Sequence, residues 1–240
     1  MRFGRIVFVY NNGMQVLLFD IDGTLIRSGG AGKAAMEDAL RSEFGLTQLH
    51  DKVPYSGRTD PSIGRDLLNI HGLDSCEANI HRLRDAYLRH LPDSLHKYQG
   101  IVLPGIRELL DRLHKSENIA LGLLTGNIRE GARYKLSHYG LWDYFAFGAF
   151  ADGIHDRDDI ARRALVEVTR HIKREIHPSS IWVIGDTPLD VKCARAIGAK
   201  AVAVATGWHS VEELEASGAD WVLSNLSEPE ALYRKWFPAL

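Results

Sequence analysis

The chain has 240 residues, with 29 Lys+Arg against 31 Asp+Glu, a formal net charge of −2 with His neutral. That balance argues against a basic nucleic-acid surface, and 45% hydrophobic with 25% charged residues excludes the disordered, collagen-like and coiled-coil classes. The longest apolar runs fall far short of the roughly 20 residues needed to cross a bilayer.

Residues 1–13, with Asn11-Asn12-Gly13 as a turn, fit either an extra edge strand or a disordered leader, and the sequence does not choose. Arg2 and Arg5 precede an apolar run too short for a signal peptide. Residues 14–19, Met-Gln-Val-Leu-Leu-Phe, are an apolar run stopped by Asp20, the pattern of a strand buried on both faces. Asp20-Ile21-Asp22-Gly23-Thr24 follows directly. Strand ends of this kind form the site in open parallel sheets. There Asp20 leaves the strand facing the crevice, and Asp22 sits one turn residue further on. One carboxylate can attack phosphorus while a second protonates the leaving oxygen and then activates water. The same residue types also suit a turn and a helix cap, and the motif alone does not decide.

From 27 to 98 the pattern turns helical. Helices are expected over 34–44, 62–70 and 78–91, the last carrying Ile80, Leu83, Tyr87, Leu88 and Leu91 on one face. Hinge-like composition flanks the stretch, with Ser28-Gly29-Gly30-Ala31-Gly32 before it and Gly100 and Pro104-Gly105 after it. The chain therefore divides into a core of 1–26 and 99–240 and a helical insertion of 27–98. Within the insertion, Tyr55-Ser56-Gly57-Arg58-Thr59-Asp60-Pro61 is either a loop that closes over the site, with Arg58 meeting an anionic group, or the start of a helix.

Beyond the insertion, Ile106, Leu109, Leu110 and Leu113 mark a helix and 119–124 a strand. Thr125-Gly126-Asn127 then supplies a hydroxyl, a glycine amide and a side-chain amide between strand and helix, a cradle for phosphate oxygens. Strands at 181–184 and 201–205 and helices carrying Ile160, Ala164, Leu165 and Val168, then Val191, Ala194 and Ile197, complete a strand–helix alternation. That alternation means an α/β fold with a parallel sheet. The strand at 181–184 runs into Gly185-Asp186-Thr187-Pro188-Leu189-Asp190. Together with Asp20, Asp186 and Asp190 make a hard, oxygen-rich site of the kind that holds Mg²⁺, and such carboxylates repel one another without a cation. The alternative reading is an N-cap and a solvated helix carboxylate.

This ordered set of three motifs, Asp-Ile-Asp-Gly-Thr-Leu, Thr-Gly-Asn and Gly-Asp-Thr-Pro-Leu-Asp, resembles the haloacid dehalogenase (HAD) superfamily of phosphohydrolases. The likeness is to its phosphoglycolate-phosphatase-like type and covers nearly all of residues 14–240. The resemblance implies a Rossmann-like core with an inserted helical cap. It implies Asp20 as nucleophile, Asp22 as general acid and base whose backbone carbonyl also binds Mg²⁺, Thr125, Gly126 and Asn127 at the phosphate, and Asp186 as metal ligand with Asp190 supporting the metal shell. The expected activity is Mg²⁺-dependent hydrolysis of a small phosphorylated metabolite through an aspartyl phosphate. A sugar phosphomutase and a catalytically weak phosphometabolite-binding module are the alternatives. Dehalogenases of the superfamily lack the second aspartate and phosphonate-cleaving members replace it, so Asp22 argues against both.

One position departs from the pattern. The superfamily carries a Lys between its second and last motifs, where residues 151–160 of this chain have none. Arg157 is the candidate replacement, with Arg162 and Arg163 as fallbacks; the competing reading is a helix-start arginine paired with Asp156 or Asp158. Residues 28–33 fail as a P-loop, because the Gly five places before Gly32 is Arg27 and Ala follows Lys33. The 11 His show no metal-ligand spacing, and Cys193 reads as a small core residue. Cys76 and Cys193 offer no CxxC pair, so a reducing, cytoplasmic setting is expected, with no nucleic-acid or membrane partner. The oligomeric state is not legible.

Overall fold

The computed structural model describes residues 13–236, so the expectation for the first dozen residues lies outside the described part. Strand β1, Gln15–Phe19, alternates its side chains between two apolar layers: Val16 and Leu18 enter one, Leu17 and Phe19 the other. A strand covered on both faces needs an unbroken apolar run, which is why Met14 onward reads as it does. The strands β4, Ile119–Leu124, and β6, Ile181–Gly185, flank β1 in parallel, with Leu17 paired to Leu121 and to Trp182. With β5 (Phe147–Ala149), β7 (Lys200–Val204) and β8 (Trp221–Leu223) the sheet has the order β5-β4-β1-β6-β7-β8, parallel throughout.

Both neighbours of β1 come later in the chain, one on each side. The connections therefore diverge at its C-terminal end and open a crevice there, where Asp20 sits. Helices α4 (Ile106–His114), α5 (Arg129–His138), α6 (Arg157–Ile172) and α7 (Pro188–Ala196) make the crossovers, followed by α8 (Val211–Ala216) and α9 (Pro229–Trp236). The α/β, Rossmann-like reading holds. Strands β5 and β8 were not anticipated, because each is only three residues long and carries no apolar run that stands out from its surroundings.

A two-residue antiparallel ribbon, β2 (Ile26–Arg27) with β3 (Ile101–Val102), brackets the helices α1 (Ala31–Phe44), α2 (Asp60–Ile70) and α3 (Glu77–Lys97). Their apolar faces, including Ala35, Leu40, Leu68, Leu83, Tyr87 and Leu95, are continuous with the layer that holds Leu17 and Phe19. Helix α3 runs beyond its expected end at 91 and passes through Pro92. Pro92 removes one backbone donor, but the extra turns bury Ser94 and Leu95, and that burial offsets the lost hydrogen bond. Among the described residues no helix is long and apolar enough to cross a membrane.

Candidate active site

The geometry begins at the end of β1. The Asp20 backbone N–H donates to the Ile184 carbonyl at 2.9 Å, extending the β1–β6 ladder by one bond and aiming a buried carboxylate into the crevice. The chain then turns sharply through Gly23, whose φ is +83°. A Cβ at Gly23 would collide with the Asp186 carboxylate, so glycine is required by both conformation and space.

Asp20, Asp22, Gly126, Asn127, Arg157 and Asp186 line one cavity of about 750 Å³, and Thr125 and Asp190 lie buried directly behind it. Every site residue expected from the motifs is thus brought together. The Thr125 hydroxyl lowers the Asp20 pKa against the effect of burial, and its Oγ1 accepts from Asn127 N (3.2 Å) and Nδ2 (2.9 Å).

Arg157 is buried at the first position of α6. Its guanidinium lies 3.7 Å from Asp20 Oδ2, forms an ion pair with Asp190 Oδ1, and donates to the Gly57 carbonyl at 3.0 Å. Arg157 does start the helix, but the alternative pairing with Asp156 or Asp158 fails. Asp156 instead caps α6 by accepting from Asp158 N at 2.9 Å, and Asp158 pairs with Lys192 at 3.1 Å. The fallback arginines are exposed, and Arg162 is paired with Asp159 at 2.6 Å. Burial alone would lower the Arg157 pKa, but the Asp190 and Asp20 carboxylates override it and hold the group charged.

Oxygens of Asp20, Asp186 and Asp190 lie within 4.8 Å of one another. Desolvation by burial, reinforced by the neighbouring carboxylates, pushes Asp186 up to about 8; burial, opposed by Arg157, pushes Asp20 up to about 6. Three desolvated carboxylates facing one another are the arrangement a hard divalent cation relieves, so these residues fit Mg²⁺. The hydrogen bonds sort the three. Asp190 spends Oδ1 on Arg157 and Oδ2 on the Thr187 N–H (3.0 Å) and hydroxyl (2.7 Å), whereas among the described residues the side-chain donor to Asp186 is Thr24 Oγ1 at 3.3 Å. The alternative reading of the pair as an N-cap and a solvated helix carboxylate fails, because the cap of α7 is Thr187 and Asp190 is buried.

The helical insertion reaches the same place. Thr59 Oγ1 donates to the His155 carbonyl at 3.2 Å, Asp60 N donates to the Gly126 carbonyl at 2.8 Å, and the Asp60 carboxylate accepts from Ile128 N at 2.9 Å. Burial pushes Asp60 up to about 6, against the lowering effect of Lys135. Arg58 lines the cavity but pairs with Asp66 at 2.7 Å and donates to the Pro54 carbonyl.

Lys135 was missed. It is buried on α5, and its Nζ donates to Asp22 Oδ2 at 2.5 Å and to Asn127 Oδ1 at 2.6 Å. Burial would lower its pKa, but Asp22, Tyr87 and Asp60 raise it overall and keep it charged. A signal existed: Ile128, Ala132, Lys135, Leu136 and Tyr139 share one face of the helix, and all are buried. A lysine on an apolar face is rarely there without a partner.

The family described as haloacid dehalogenase-like hydrolase matches residues 17–204 of this chain. A phosphoglycolate phosphatase of Synechococcus elongatus is 31% identical over 90% of this chain and 95% of its own length. One of Vibrio vulnificus is 26% identical over 90% and 94%. Among solved structures, CbbY from Rhodobacter sphaeroides in complex with phosphate superposes with a TM-score of 0.73 at 19% identity, covering 90% of this chain and 96% of that one. A hydrolase from Pseudomonas syringae gives 0.68 at 24% identity, covering 92% and 99%.

Proposed function

Because the chain belongs to the haloacid dehalogenase-like hydrolase family and is a phosphatase within it, a hydrolase of phosphoric monoesters, we propose that Asp20 is its nucleophile and that an aspartyl phosphate is the intermediate. The observation that supports this most is the charge pattern around Asp20. A buried carboxylate at a strand end faces a guanidinium at 3.7 Å and a hydroxyl-and-amide loop, beside a second carboxylate, Asp22, carried two residues on.

In the first half-reaction an Asp20 oxygen attacks phosphorus, and the ester oxygen leaves with the proton that Asp22 donates. In the second, Asp22 takes a proton from water, the resulting oxygen attacks phosphorus, and the Asp20–phosphorus bond breaks to return the carboxylate. Arg157 offsets the charge of Asp20 and the phosphoryl oxygens, and the Thr125-Gly126-Asn127 loop holds those oxygens. Asp190 anchors Arg157 through an ion pair that also ties it to the N-terminus of α7. Asp20 and Asp186, with the Asp22 backbone carbonyl, would hold Mg²⁺, which when bound neutralises the clustered carboxylates and polarises the phosphate.

Residues 27–98 serve as a cap on the core of 1–26 and 99–240, hinged at the β2–β3 ribbon, and the loop bearing Gly57, Thr59 and Asp60 is its docking edge. The substrate is a small phosphorylated metabolite, and the similarity to relatives named phosphoglycolate phosphatase supports trying 2-phosphoglycolate first. The test is phosphate release by the purified chain from a panel of phosphorylated metabolites and p-nitrophenyl phosphate, with and without Mg²⁺, beside Asp20→Asn. The variant should lose turnover and keep its fold. Wild-type rates in Asp20→Asn would end the nucleophile assignment, and conversion of a sugar phosphate to its isomer without phosphate release would favour a mutase.

A further inference from the structure

Among the described residues no hydrogen bond or ion pair joins Lys135 to Asp20, Asp186 or Asp190, and the chemistry proposed above leaves it unused. Its ammonium donates at 2.5 Å to Asp22 Oδ2 and at 2.6 Å to Asn127 Oδ1, while Asn127 Nδ2 donates at 3.0 Å to the same Asp22 oxygen. Asp22 Oδ2 is therefore held from two directions by charge-assisted and neutral donors. Among the described residues no protein donor meets Asp22 Oδ1. The Asp22 side chain is 41% exposed toward the cavity, whereas that of Lys135 is 6% exposed, so the anchor is rigid and the anchored group meets solvent.

Resting on the reading of Asp22 as acid and base, we propose that Lys135 is the positioning residue for that carboxylate: it pins Oδ2 and leaves Oδ1 as the oxygen that passes the proton. The clamp also spans the two proposed domains. The loop that carries Asn127 is gripped on its other side by Asp60, whose N–H meets Gly126 O at 2.8 Å and whose carboxylate meets Ile128 N at 2.9 Å. Docking of the insertion thus fixes the loop through which Asn127 and Lys135 hold Asp22. A carboxylate free to rotate about its own side chain would present the proton to the leaving oxygen in only a small fraction of encounters.

The purified holoenzyme is assayed with p-nitrophenyl phosphate, whose leaving group scarcely needs a proton, and with an alkyl phosphate, whose leaving group does. Lys135→Met should lower kcat/KM, which reports the transfer to Asp20 and not the later hydrolysis common to both substrates, roughly a hundredfold on the alkyl phosphate and less than about tenfold on p-nitrophenyl phosphate. Adding Lys135→Met to Asp22→Asn should cost almost nothing further. Lys135→Gln keeps an N–H donor without the charge; it should fall between wild type and Lys135→Met, and it carries the comparison if the methionine variant does not fold.

An equal loss of kcat/KM on both substrates would overturn the proposal by placing Lys135 at the phosphate. Wild-type rates would overturn it as well. Asp22→Asn alone separates the two layers. If it shows the leaving-group split and Lys135→Met does not, only the positioning role fails; if it shows no split, the acid–base reading fails and takes the positioning role with it.

Discussion

Arg157→Ala is the perturbation from which the structure predicts most. The guanidinium is the cation buried among Asp20 and Asp190, with Asp186 alongside, and it also donates to the Gly57 carbonyl. Removing one partner of a buried ion pair leaves the other charge uncompensated, at about 3–5 kcal/mol. For a chain of this size that corresponds to a fall in melting temperature of roughly 6–20 °C. Catalysis should suffer separately, because one preorganised donor to the transition state is worth about 2.7–4 kcal/mol, or 10²–10³ in kcat.

The two losses are measured independently. Urea unfolding at pH 7 in EDTA reads the ion pair without competition from a metal. Initial rates on p-nitrophenyl phosphate at saturating Mg²⁺, below the variant's melting temperature, read the chemistry. Arg157→Lys should recover part of each, since it restores the charge but cannot reach both Asp190 and Gly57 with a rigid fork. Arg162→Ala, which removes only an exposed pair, should stay within about 0.5 kcal/mol of wild type. The reasoning is refuted if Arg157→Ala unfolds within about 1 kcal/mol of wild type in EDTA and turns over within about threefold of it.

Burial holds Asp20 and Asp60 up at about 6 and Asp186 up at about 8, against an ordinary 3.8. The folded state binds these protons more tightly than the unfolded one, so in EDTA stability should be greatest below about pH 4 from these groups and fall as pH rises through 6 and 8. Asp20 and Asp60 contribute on the order of 3 kcal/mol each. Mg²⁺ should raise the midpoint most at pH 7–8; a metal-free unfolding profile that stays flat or climbs with pH would contradict this. Gly126→Ala places a Cβ into the Arg58 carbonyl oxygen, so the docked loop must move; kcat/KM should drop about a hundredfold and proteolysis of the insertion should accelerate. Leu95→Ala, in the turn of α3 beyond Pro92, should cost about 2–5 kcal/mol in urea unfolding, and a smaller loss would show that this turn is not held by core packing.

What the sequence determined by itself is what local chemistry and short periodicity encode. Residues 119–124 read as a strand because each apolar residue there faces one of two covered layers, and β4 has those bounds. Asp20, Thr125 and Asp186 were legible because each directly follows an apolar strand, and a parallel sheet delivers all such ends to one edge. Arg157 was legible only as a candidate; its partner was decided by the distance between α6 and α7, which no spacing within residues 151–160 encodes. The tertiary structure alone set Lys135 beside Asp22 and Asp60 against Ile128, pairings that are 113 and 68 residues apart in the chain. It also carried α3 through Pro92 and made strands of the three residues in β5 and in β8. In each of these cases the deciding free energy is burial against a distant neighbour, and a contact of that kind leaves no mark on the residues beside it in sequence.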